Sequence, residues 1–214
     1  MKLPNNKLYS KEKEQIYFAE ILESNITTWQ AQCWQWDTIP EFGSLVTTNS
    51  HEQTLFGIIY DIKTGPIDPI RQPVAYQKTQ EELEKEQPQI FEFLKTSFSS
   101  LSIGYIENNH FFYNLPPKPP KIHTFVGYAT QKQYDICFAS ENFLHLLCNT
   151  TEQINLEELL LAIIQHQIKH NVLTSKRLHK LIESYFMLNK NNYLQTKTFL
   201  SRLQQFLQIT NYKE

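Results

Sequence analysis

His166 and His170 stand four residues apart, the first pair in this chain whose spacing suggests chemistry. On one helix face such a pair can hold a metal ion. The Glu of an H-E-x-x-H motif is missing, however, and no third ligand can be placed. Both are therefore read as free surface histidines. His123 follows Pro-Pro-Lys-Ile and reads as a packed junction residue, the alternative being one that caps the barrel or titrates against a carboxylate. The three cysteines, Cys33, Cys137 and Cys148, are odd in number and lack C-x-x-C spacing. They read as small core residues in a reducing compartment rather than as nucleophiles or disulfide partners. The acidic run Glu81, Glu82, Glu84, Glu86 has no partner base and reads as a solvated helix face. No G-x-S-x-G, P-loop or G-x-G-x-x-G occurs. The expectation is a chain that is not an enzyme. No catalytic residue, cofactor or metal site is assigned, and no small-molecule substrate is evident.

Two other groups of residues suit recognition. Gly65, Pro66, Asp68, Pro69 and Arg71 fall in the string GPIDPIR, where closely spaced prolines stiffen the backbone. Gly65 is expected to take φ > 0 in a turn before Pro66. Asp68 and Arg71 then form an exposed ion pair or an Asx-turn, or are offered together to a protein partner. The second group is basic: Lys169, Lys176, Arg177 and Lys180, with His170 and His179 nearby. A helix pair around Thr174-Ser175 would resemble a helix-turn-helix reader with these residues at phosphates. Trp29, Trp34 and Trp36 add a stacking surface for that nucleic-acid alternative. Net charge is −2, so no global basic signal supports it. Residues 151–214 hold 8 Lys/Arg against 5 Asp/Glu, a mild polarity only.

The elements that must position these residues are legible in pattern. Residues 16–22, 28–36, 44–48 and 55–64 read as strands, with 49–53 a hairpin loop. Gly57 marks a close approach of another backbone or ring. Short strands ended by turns suggest a small antiparallel barrel. Thr79-Gln80-Glu81-Glu82 is a capping box, and Pro88 opens a short helix with Ile90, Phe91 and Leu94 as its buried stripe. Ser100–Ile106 and His110–Leu115 flank Asn108-Asn109 as a hairpin. Pro116-Pro117-Lys118-Pro119-Pro120 reads as a polyproline II boundary between domains. All five glycines precede residue 128, and beyond it the chain reads as helical: 134–147, 155–170, 176–188 and 193–208. The fold expectation is α+β: a small antiparallel β-barrel with an inserted helical segment, then a C-terminal α-helical bundle. The divisions are a loose arm at 1–15, a barrel domain at 16–122 and a helical domain at 123–214. No apolar run reaches the ~20 residues of a membrane span, and the N-terminus lacks a signal-peptide core. A soluble chain of the cytoplasm or plastid stroma is expected.

EFGSLV (41–46), LFGIIYDIKTGPIDPIRQP (55–73), EQPQIFEFLKT (86–96) and NLPPKPPKIH (114–123) together resemble the HAS-barrel domain proteins of cyanobacteria and plastids. The resemblance covers residues 16–125, and the tail is similar only in character. It implies a six-stranded barrel with the 66–76 segment contributing to closure. In larger ATPases such a barrel helps to assemble a ring. No Walker A sequence stands here, so the resemblance implies assembly or docking with a protein partner rather than ATP hydrolysis.

Overall fold

The computed structural model describes residues 15–68, 70, 74–151, 154–189 and 193–209. The N-terminal half begins with β1 (Tyr17–Ser24), β2 (Thr28–Cys33), β3 (Leu45–Ser50) and β4 (Gln53–Pro66). Two short helices follow, α1 (Gln80–Glu86) and α2 (Gln89–Glu92), then β5 (Leu94–Glu107), β6 (His110–Phe112) and β7 (Phe125–Tyr128). The ladders run β2-β1-β7-β3-β4-β5, all antiparallel, and a β2–β5 pairing closes the ring. The result is a closed six-strand barrel. β6 lies outside it, paired to the C-terminal end of β5.

Closure follows from the length of β5. Its 97–101 stretch pairs with β2, while residues 105–107 pair with β6. One 14-residue strand therefore serves both the ring and an outer ribbon. Pro66 ends β4 and the described residues of 67–76 lie in no strand; closure is made by the β2–β5 pairing. β7 inserts between β1 and β3, which puts the last barrel strand beyond the boundary expected at 122. The polyproline stretch is thus a crossover within the barrel. Pro116 and Pro120 are buried, and Ser24 Oγ donates to the Pro120 carbonyl at 2.7 Å.

Alternation along the strands feeds two cores. Val46 and Ile59 join a cluster with Phe18, Trp29, Phe98 and Val126 that draws on all six barrel strands. Their neighbours Leu45 and Ile58 point the other way, as strand residues must. With Phe56, Leu101 and Ile103 they join the core shared with the helices. These strands are therefore apolar on both faces. Gly57 is the tight point: a Cβ there would lie 2.5 Å from Trp29 Cζ2. The indole of Trp29, 2% exposed, occupies that space, the close approach that the glycine predicts.

The hairpins differ in how plainly they are written. Asn108 and Asn109 take φ +49° and +64°, a two-residue turn of the expected kind. His51 and Glu52 do the same at +55° and +62° without a favourable sequence. The capping box at Thr79 forms. The apolar residues after Pro88 are only half-buried, and Leu94 begins β5 instead of ending a helix.

Among the described residues five helices follow β7: α3 (Gln131–Cys137), α4 (Phe143–Cys148), α5 (Leu156–Lys169), α6 (Ser175–Leu188) and α7 (Tyr193–Ile209). The 134–147 stretch is two short helices, yet Phe138, Phe143, Leu144 and Leu147 are all buried. Thr130, Asn155 and Thr174 each accept a backbone N–H as side-chain N-caps. The helices share one apolar core with the outer face of β3, β4 and β5.

Candidate functional site

The far end of β4 carries the proline string. Gly65 pairs with Lys95 and Pro66 with Leu94, so both extend the β4–β5 ladder. Gly65 has no positive φ, and the turn expected at 63–66 is strand. Pro66 sits at the ladder's last rung, where its missing N–H costs little. Asp68 Oδ1 accepts the Ile70 N–H at 3.0 Å, an Asx-turn. Pro69 and Arg71, also assigned to this loop, lie outside the described residues. Around the turn Ile67, Ile70, Val74 and Tyr76 are exposed, Ile70 at 91% and Val74 at 70%.

The basic face thins once side chains are placed. Lys169 Nζ donates to both oxygens of Glu41 at 2.8 and 2.9 Å. Arg177 Nη1 donates to the Val172 carbonyl at 2.8 Å, bracing the α5–α6 turn. Lys176 and Lys180 remain exposed on α6. The tryptophans do not cluster. Trp29 is inside the barrel, Trp34 sets its edge against Phe125 at 5.2 Å, and Trp36 stacks on Phe91 at 5.2 Å. His123 is exposed with φ +67°, and its Nδ1 lies 2.5 Å from Glu20 Oε1.

A third group, only partly marked by the His166–His170 spacing, gathers where α3 and α5 meet the barrel. His166 is buried (6% exposed), not on the surface. Its Nε2 faces the Phe42 carbonyl at 3.1 Å, so Nε2 carries the proton and donates. Nδ1 is then a lone pair, 3.7 Å from Glu41 Oε2. Burial holds the His166 pKa below its usual 6.5, against the opposing pull of the Phe42 and Glu41 oxygens. His170 stacks on Tyr134 with ring centroids 3.8 Å apart, and burial lowers its pKa as well. The Lys169 hydrogen bond lowers the pKa of Glu41.

The loop between β2 and β3 holds these groups in place. Gly43, at φ +76°, brings its backbone against Ala162 of α5 and donates to the Ile59 carbonyl at 2.8 Å. Tyr134 Oη accepts the Leu45 N–H at 3.2 Å, and burial pushes its pKa up to about 12. Together these residues wall a cleft of about 320 Å³. Sequence reasoning found the two histidines and Lys169. It missed Glu41, Ser44, Tyr128 and Tyr134, which are distant in sequence and carry no spacing signal.

Burial pushes Cys33 and Cys148 up to about 11 and raises Cys137 as well, the opposite of an activated thiol. Among the described residues no group of three or more His, Cys, Asp or Glu side chains suits a metal ion. No described helix is long and apolar enough to cross a membrane. Comparison with protein-family models and with curated proteins gives no match.

Proposed function

We propose that the chain is a non-enzymatic docking module of a protein assembly. In this reading the barrel is of the HAS type and the C-terminal helices form a bundle braced against it. The β4 end is the face that meets a protein partner. The observation that carries the reading is the run of exposed apolar side chains at Ile67, Ile70, Val74 and Tyr76. Scattered exposed apolar residues are ordinary, but four in one ten-residue segment mark an interaction surface. The Asx-turn at Asp68 fixes the start of that segment, which lowers the entropy lost on binding. A nucleic-acid partner has less support, because Lys169 and Arg177 each already hydrogen-bond within the chain.

The test is capture from the native cell after nuclease treatment, comparing the parent with the double variant I70D/V74D. The reading expects a defined protein set that the variant loses while its far-UV spectrum and unfolding midpoint stay unchanged. A protein set retained by the variant, or one lost on nuclease treatment, would contradict it.

A further inference from the structure

The cleft between α3, α5 and the barrel has features that packing alone does not explain. His166 Nδ1 and Glu41 Oε2 are both acceptors, yet they face each other at 3.7 Å. Nε2 holds the ring's one proton for the Phe42 carbonyl, so neutral His166 has no donor to offer Glu41. Protonation would supply one, but burial opposes it. Ser44 lines the same cleft, and its buried Oγ has no hydrogen-bond partner. A buried hydroxyl left unpaired is uncommon and calls for a reason.

We propose that this cleft binds a small primary amine that also carries a hydrogen-bond acceptor, the chemistry of a free amino acid or an amino alcohol. An ammonium group supplies three donors and can satisfy Nδ1 and Glu41 Oε2 together. Lys169 uses two of the roughly four acceptor positions of the Glu41 carboxylate and leaves the others for the ligand. Lys169 keeps one N–H, and the Ser44 hydroxyl is a second donor for the ligand's acceptor. Glu41 and Lys169 cancel in charge, which suits a zwitterion or a singly charged amine better than an anion. Tyr128, Tyr134 and Leu45 give the remaining wall an apolar character. A cleft of about 320 Å³ has room for a ligand of this small size.

The experiment titrates the intact chain, with ¹⁵N detection of the His166 ring and thermal unfolding in parallel. The probes are glycine, serine and ethanolamine, with glycine betaine and choline as trimethylated controls. A saturable shift of Nδ1 and a raised midpoint are expected with the primary amines at millimolar concentration and not with the controls. Response to the amino acids alone would support a carboxylate at Lys169 and Ser44. Response to ethanolamine as well would support recognition through a hydroxyl. E41Q should weaken binding about tenfold or more. Should E41Q fail to fold, S44A tests the acceptor side with less disturbance. No saturable shift with any primary amine, or an equal response to betaine and choline, would overturn the proposal.

Discussion

Replacing Gly43 by alanine tests how the helices are fixed to the barrel. Gly43 sits at φ +76°, where an L-residue is disfavoured by about 1–2 kcal/mol. Its new Cβ would fall 2.5 Å from Ala162 Cβ and 3.0 Å from the Ala162 carbonyl carbon. Neither atom is the end of a flexible side chain, so α5 or the 41–44 loop must move. Overpacking of this kind costs about 1–3 kcal/mol. The two effects together predict a loss of about 2–5 kcal/mol, or a urea midpoint lower by roughly 1–2.5 M at a slope of about 2 kcal/mol per M. A second variant separates the contributions. In G43A/A162G the facing methyl is gone, so the packing share is partly relieved while the contact with the α5 backbone and the cost of positive φ stay. A double-mutant cycle should then show coupling of about 1–2 kcal/mol. A G43A midpoint close to the parent's, or no coupling in the cycle, would refute this seating of the loop on α5.

Acid should weaken the fold before most carboxylates titrate. The His166 and His170 pKa values lie below 6.5 in the folded chain, so the unfolded chain binds protons first. Their contribution is present above pH 6.5 and is lost as pH falls through the folded values. Glu41 behaves alike from 4.5 downward, because its folded pKa is lowered. Thermal midpoints should therefore fall between pH 7 and pH 5, and H166Q should flatten that slope; an unchanged slope in H166Q would contradict it. The thiols should resist a thiol reagent at pH 7.5 in the native chain and react on unfolding, as their burial and raised pKa values require. Rapid native labelling of Cys33 or Cys137 would place them elsewhere.

Most barrel strands were legible because their alternation and turn residues agree. Asn108-Asn109 announced its hairpin, and Thr79 and Asn155 announced their helices through capping chemistry. β7 was not legible: four residues, FVGY, follow a proline-rich crossover and gain their strand character only from β1 and β3 on either side. The hairpin loop at 49–53 was legible, but the positive φ at His51 and Glu52 was not, since the β3–β4 register imposes it on residues that do not favour it. Gly65 misled in the opposite direction, because Gly-Pro is a strong local turn signal that the long β4–β5 ladder overrides. The cleft was the least legible feature. Its residues come from positions 41, 44, 128, 134, 166 and 169, and only the fold makes them neighbours.

The docking reading meets its most direct test in a photo-crosslinking residue placed at Val74 in the native cell. Lys118, exposed on the crossover, serves as the control position. The reading predicts a discrete, nuclease-resistant protein adduct at 74 that is absent at 118. No adduct at 74, or the same products from both positions, would contradict it.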